Sequence, residues 1–264
     1  MTGAELIEAL ALPGSCRVDQ RVPKKMLIEK AAPTAADKRL LNDYLEEIHW
    51  IATLKSNTIG VPNFRDEQRE YREVAVLNII ARGDLASLTA GGAVKSVNIA
   101  RLAELVQRAV PYPTLLLLAT PEVLFVSAAH KRWAQNDAAK VVLDGEVTTV
   151  EVTSDPAVAQ AFMQSMALTG QPQLTLMSLY QGWLNCLGAL MAARYTGTFK
   201  DSKDLEQANM RRLVLRECLR LEQEAKRLRA QADKAKQMAM RVDLNLALQR
   251  VQAELAVARE QLQG

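Results

Sequence analysis

Between positions 198 and 263 this 264-residue chain carries neither glycine nor proline. A stretch free of both breakers can run as helix from end to end. Within it Val214, Cys218, Leu221, Ala225, Leu228, Ala232, Ala235, Ala239, Val242 and Leu246 recur at alternating spacings of four and three, the seam of a left-handed coiled coil. Leu248, Val251, Leu255, Ala258 and Leu262 resume the pattern two residues out of phase. Two arrangements fit: one long helix with a stutter, or a break near Asp243-Leu244-Asn245 into a helical hairpin. As one helix it would span roughly 90 Å at about 1.5 Å per residue. A lone helix cannot bury its own stripe, so the seam needs a partner strand from this chain, from a second copy or from another protein.

Charge follows the same division. The net charge of +3 is small, but residues 200–264 hold 14 Lys and Arg against 10 Asp and Glu, and residues 211–241 hold 10 against 4. The basic excess on the C-terminal helix, with Arg211, Arg212, Arg216 and Arg220 at its head, suits a nucleic-acid backbone or an acidic protein face. A solvated helix face reads the same way.

The preceding residues read as a body that alternates helix and strand. In residues 101–118, Leu102, Leu105, Val106 and Ala109 share one helical face. Pro111 and Pro113 then stop the helix, and Thr114 to Leu118 enters as a strand buried on both faces. Residues 71–81 carry the strongest strand signal, and residues 48–54 read as another strand. A short extension follows at 58–61. Pro121-Glu122 reads as the turn of a hairpin between 114–119 and 123–128. Asp144-Gly145 reads as the turn of a second hairpin within 140–152. Residues 83–97, with Gly91-Gly92, read as an exposed loop. Helices are expected over 2–12, 34–47, 156–168 and 174–195, the last apolar nearly all round. The fold class is α+β: a mixed or mainly antiparallel sheet flanked by helices over residues 1–198, followed by a coiled-coil helix or helical hairpin over 199–264.

Few residues invite chemistry. Residues 17–25 read as a basic loop in which Pro23 prevents regular structure and Arg21, Lys24 and Lys25 point outward, able to meet phosphate or to serve solubility alone. His130-Lys131-Arg132-Trp133 sets Lys131 and Arg132 beside Trp133, an arrangement that could hold a phosphate and stack a base; the competing reading folds Trp133 onto the core. Glu73 and Asp144 are the acids closest to a metal-nuclease pattern, but no strand carries the Glu-x-Lys such a site needs. No phosphate-cradling glycine motif and no nucleophile elbow is written. Cys16, Cys186 and Cys218 are widely spaced and read as reduced and structural, and two histidines are too few for a metal cluster. No cofactor, metal or catalytic residue is assigned. The longest apolar run, Leu115 to Ala119, is far below the roughly 20 residues a membrane span needs, and the N-terminus lacks a basic leader region. The expectation is a cytoplasmic protein away from the membrane.

Eight segments in order, RVDQRVPKK, TAADK, LKSNTIGVP, EYREVAVL, RAVPYP, AHKRW, LYQGWLNCLGALMAARYTGTF and RVDLNLAL, resemble the bacterial domain of unknown function 4391 family over nearly the full chain. The resemblance implies a context and no catalytic residues: such proteins are typically encoded beside DNA helicases and DNA methyltransferases in restriction-like, anti-phage gene clusters. The expected role is therefore a non-catalytic accessory subunit that docks a helicase or methyltransferase through the coiled coil, with DNA contact secondary. Two alternatives stand beside it, a metal-dependent nuclease subunit with a degenerate site around Glu73 and Asp144, and a self-associating DNA-binding protein. The seam positions that would carry docking are Val214, Cys218, Leu221, Leu228, Ala235, Val242, Val251, Leu255 and Leu262.

Overall fold

The computed structural model describes residues 2–31, 34–82, 93–135, 137–202 and 204–262. Among these, the chain forms two compact units, Met1–Leu187 and Gly188–Gly264.

The first unit is built on a six-stranded sheet. Its strands are β1 (Arg17–Arg21), β2 (Leu45–Lys55), β5 (Glu73–Ala81), β6 (Thr114–Ala119), β7 (Leu124–Ala128) and β10 (Thr148–Glu151), in the spatial order β1-β2-β5-β6-β7-β10. Every neighbouring pair is antiparallel except β5 and β6, which run parallel with Ala75 opposite Thr114 and Ile80 opposite Ala119. A parallel pair needs a crossover, and α5 (Ala93–Ala109) lies between these two strands in the chain. β6 is fourth in the order, and Leu115, Leu116, Leu117 and Leu118 are all buried, as expected of a continuous aliphatic run covered on both sides.

Helices α2 (Lys24–Ala31), α3 (Ala35–Tyr44) and α5 bring Leu27, Leu41, Leu102, Leu105 and Val106 into one cluster with Ile48, Ile79, Leu116 and Leu118 of the sheet. Thr34 caps α3 by accepting from the Asp37 backbone N–H at 3.1 Å. The remaining helices of this unit are α1 (Gly3–Ala9), closed by a Thr2/Glu5 capping box, the single turn α4 (Ser56–Ile59), and α6 (Pro156–Ser165), capped by Asp155 with Pro at its first position. The long α7 (Leu176–Thr196) buries Leu176, Leu179, Tyr180 and Trp183. Trp183 donates to the Met166 carbonyl at 2.9 Å, and Tyr180 Oη donates to that of Thr114 at 2.8 Å. The division between the two units falls inside α7.

Several local expectations give way. Residues 17–25 are no loop: β1 pairs with β2, and α2 starts at Lys24 immediately after Pro23. Proline is tolerated there because the first helical turn has no partner for its missing N–H. The extension at 58–61 is the turn α4, ended by Gly60 at φ 74°. Residues 140–152 do not fold on themselves. β9 (Asp137–Leu143) pairs with β8 (Lys131–Ala134) in a separate ribbon, while β10 pairs with β7. Asp144 closes the ribbon, donating its N–H to His130 O at 2.8 Å, and Gly145 at φ 85° redirects the chain. Trp133 therefore lies within a new strand and does not end the previous one. Of the expected loop 83–97, residues 83–92 lie outside the described residues and Ala93 onward is helix. A further two-stranded ribbon pairs β3 (Phe64–Arg65) with β4 (Glu70–Tyr71).

The second unit takes the hairpin form. α8 (Leu205–Lys234) and α9 (Met238–Gln261) lie side by side, and Leu215, Cys218, Leu221, Leu255, Ala258 and Leu262 bury with Ala192 from the end of α7. The break falls at 235–237, where Ala235 (φ −69°, ψ 119°) and Gln237 (φ −87°, ψ 131°) are extended, and not near 243–245. The physical reason is phase: a break there lets Leu244, Leu248, Val251, Leu255, Ala258 and Leu262 keep one unbroken seam on α9. Val242 and Leu246 belong to the other side of α9 and are half exposed, Ala235 caps α8, and Val214 and Val251 are partly buried beside the cluster. Leu228 is buried as the seam requires.

Candidate functional site

The N-terminal basic residues are brought together by the strand and helix that replace the expected loop. Arg21, on the edge strand, pairs with Glu47 at 3.1 Å, and Glu47 also meets His49 Nε2 at 2.8 Å. Those partners hold the Glu47 carboxyl below its ordinary range, the His49 hydrogen bond first and Arg21 next. Lys24 turns its ammonium to the Leu45 carbonyl, and desolvation followed by the nearby Arg82 lowers its pKa. Lys25 reaches Glu29 at 3.9 Å. Lys24 and Lys25 share a hollow of about 530 Å³ with Ile28, Glu29, Lys38 and Asn42. Three lysines stand against one carboxylate here, which makes the surface cationic, although Lys24 is engaged with the backbone and Lys25 with Glu29.

The second cluster divides. Lys131 is buried, its Nζ donating to the Val110 and Tyr112 carbonyls just beyond α5, so it is not offered to a phosphate at the surface. Burial pushes this amine down to about 7. Arg132 sits 3.7 Å from Asp144 and donates to the Trp133 carbonyl at 3.1 Å. Trp133 is partly buried, with the Arg65 guanidinium 5.4 Å above its ring. The three residues thus point to three different partners.

Neither acid of the nuclease pattern stands open. Glu73 pairs with Lys55 at 3.0 Å and, after desolvation, its charge helps raise the pKa of the nearby Tyr112 hydroxyl; Asp144 pairs with Arg69 at 2.6 Å and approaches Arg132. Among the described residues no group of three His, Cys, Asp or Glu side chains is placed to hold a metal ion. Cys16, Cys186 and Cys218 are buried and form no disulfide.

Two arrangements had no clear mark in the sequence. His130 lies between Tyr71 and α7: its Nε2 meets Gln181 Oε1 at 2.8 Å, which makes Nε2 the donor, and its Nδ1 faces the Tyr71 hydroxyl. Gln181 passes the chain on to Asn185 Oδ1 at 2.8 Å. Gln107 is fully buried, and its amide nitrogen donates to the Thr114 and Ser127 carbonyls at 3.0 and 3.2 Å. A signal for Gln107 exists in retrospect, since it falls on the line Ala103-Gln107-Val110 of an otherwise apolar helix face.

On α8 the basic residues differ in setting. Arg212 donates to Asn209, Arg220 pairs with Glu217 at 2.7 Å, Arg216 is exposed and Arg211 is partly buried. Leu205, Arg212, Leu219 and Lys226 follow one another every seven residues on one exposed line, and Leu213, Arg220 and Arg227 on the next. The outer face of α8 is therefore cationic and apolar by turns.

These features define an α+β protein with a mixed six-stranded sheet and a C-terminal helical hairpin, whose described helices include none long and apolar enough to cross a membrane. The family model described as "Domain of unknown function (DUF4391)" matches residues 10–255, and the chain belongs to that family. No curated protein and no solved structure matches it.

Proposed function

We propose that the chain is a non-catalytic accessory subunit of a cytoplasmic bacterial complex for DNA restriction or phage defence, docking a DNA helicase or DNA methyltransferase through the outer face of its C-terminal hairpin. The observation that carries this reading is the exposure of large apolar side chains on α8. Leu205 is 60% exposed, Leu213 57% and Met210 56%, whereas the inward seam of the same helix is already filled. A monomer gains nothing by displaying such residues along one helix, and a partner that covers them gains apolar burial. The interleaved arginines favour an acidic rim on that partner.

The non-catalytic part of the reading draws support from Glu73 and Asp144, each held by a cation of its own. A carboxylate spent on a structural pair is a poor ligand for magnesium. DNA contact is the secondary role, and the Lys24, Lys25 and Lys38 hollow is its best location.

The test is co-expression of the full chain with candidate DNA helicase and DNA methyltransferase partners from the same genome. The wild type should carry one of them through purification. Leu213→Asp combined with Leu219→Asp, both on the exposed face, should leave the chain folded and cut recovery of the partner at least tenfold, as expected when charge enters the centre of an apolar interface. Undiminished recovery would refute docking through this face.

A further inference from the structure

Helix α9 carries, besides the stripe that meets α8, a second and largely apolar stripe interrupted by Gln249. The inner stripe, Leu244 to Leu262, faces α8. On the opposite side Ala239, Val242, Leu246, Gln249, Ala253 and Ala256 recur at spacings of three, four, three, four and three, and all six are exposed. Val257 extends this side at 56% exposure. Apolar side chains hold five of these six positions, Gln249 being the exception, and an exposed apolar line of this kind suits packing against another helix.

The residues beside the outer stripe select the occupant. Asp243 and Arg250 lie on one flank, Asn245 and Gln252 on the other, and all four are exposed. Among the described residues neither Asp243 nor Arg250 has an ion pair within the chain, in contrast to Arg220, Arg227 and Arg259, which are paired with Glu217, Glu224 and Glu222. In an antiparallel pair of identical helices, flanking positions of the same kind meet. Layering Val242 on the partner's Ala253 and Leu246 on the partner's Gln249 brings Asp243 beside the partner's Arg250 and Asn245 beside the partner's Gln252. The two-fold axis repeats each contact. A parallel pair would set Asn245 against the partner's Arg250 and Met238 against the partner's Asp243, with no opposite charges meeting. Small residues at 239, 253 and 256 allow the two helices to approach closely.

We infer that the outer stripe of α9 is a homodimerisation surface, on which a second copy of this chain packs antiparallel with two reciprocal Asp243 to Arg250 ion pairs. The contact is isologous and closes on itself, so it gives a dimer and no filament. It leaves the outer face of α8 open, and it stands whether or not that face docks another protein. At under three heptads the interface is small, and the dimer should dissociate on dilution.

The experiment is sedimentation equilibrium on the full-length purified chain over a range of concentrations, with circular dichroism to confirm that each variant is folded. The wild type should move from the 29.1 kDa monomer to twice that mass as concentration rises. Asp243→Arg alone and Arg250→Asp alone each set like charges together and should weaken association about tenfold or more. The double exchange of Asp243→Arg with Arg250→Asp should restore it, a recovery that a folding defect cannot imitate. Leu246→Arg, in the middle of the stripe, should leave a monomer. A chain monomeric at every concentration, or a dimer indifferent to the single exchanges, would overturn the inference.

Discussion

Arg101 and Asp37 form a two-pronged ion pair between α5 and α3, with Nε on Oδ1 at 2.9 Å and a terminal nitrogen on Oδ2 at 3.0 Å. Asp37 is 6% exposed and also takes the Thr34 hydroxyl at 2.7 Å, so one carboxylate both secures the start of α3 and fastens it to α5. Arg101 holds Glu104 with its remaining nitrogen at 2.9 Å.

The Arg101 hydrogen bonds come first among the groups that hold the Asp37 carboxyl below its ordinary range, and Thr34 comes next. A depressed carboxyl contributes stability that is complete above the unfolded value, about 4, and is lost as pH falls through the lower folded value. Melting temperatures from pH 7 to pH 2 should therefore drop more steeply below about pH 4 for the wild type than for Asp37→Asn. Arg101→Met should be the more damaging change at neutral pH, since it strands a buried carboxylate, whereas Asp37→Asn leaves Arg101 paired with Glu104.

Lys131 gives the opposite dependence. Its amine is pushed down to about 7 by burial, while in the unfolded chain it titrates near 10.4. Between those values the unfolded state binds the extra proton, so stability contributed at this site rises with pH across that window. Lys131→Met removes the donor from the Val110 and Tyr112 carbonyls and should cost about 2 kcal/mol at pH 7. The deficit relative to the wild type should widen toward pH 10, as measured by urea denaturation at each pH.

Gly182 faces a tighter constraint. A Cβ there would lie 2.4 Å from Gln171 Oε1 and 2.7 Å from Pro172 Cδ. Gln171 cannot give way freely, because its amide nitrogen is engaged with the Ser165 and Ala167 carbonyls at 2.6 and 3.1 Å. Gly182→Ala should destabilise by about 1–3 kcal/mol, as overpacking does, whereas Gly188→Ala, whose Cβ would meet nothing within 4 Å beyond its own stretch of helix, should be neutral or better. Chemical denaturation of both variants measures the difference.

How far the sequence could be read follows from what each feature depends on. β6 was legible because five aliphatic residues bounded by a proline turn can only be a strand covered on both faces. The hairpin 114–128 was legible for a similar local reason. The pairing of β9 was not, because Asp144-Gly145 is an equally good turn whether the strands it joins pair with each other or leave for different sheets. The break at 235–237 carries no glycine or proline, and only the change of seam phase hints at it. Lys131 looked like a surface cation because sequence does not reveal where a long side chain points; two backbone carbonyls decide it.

Glu73 separates the accessory reading from the nuclease alternative. If its carboxylate serves as the partner of Lys55, Glu73→Ala should lower stability by about 1 kcal/mol and leave the handling of plasmid DNA in magnesium unchanged. Magnesium-dependent cleavage by the wild type that disappears in this variant would establish a catalytic site.

A chain that works by holding a DNA-processing partner should bring that partner through native co-purification from the organism that encodes it, even with nuclease digestion during lysis. A helicase or methyltransferase that stays bound after nucleic acid has been destroyed is the predicted result. Recovery of the chain without either protein, having carried nucleic acid before digestion, would contradict the docking role and leave direct DNA binding in its place.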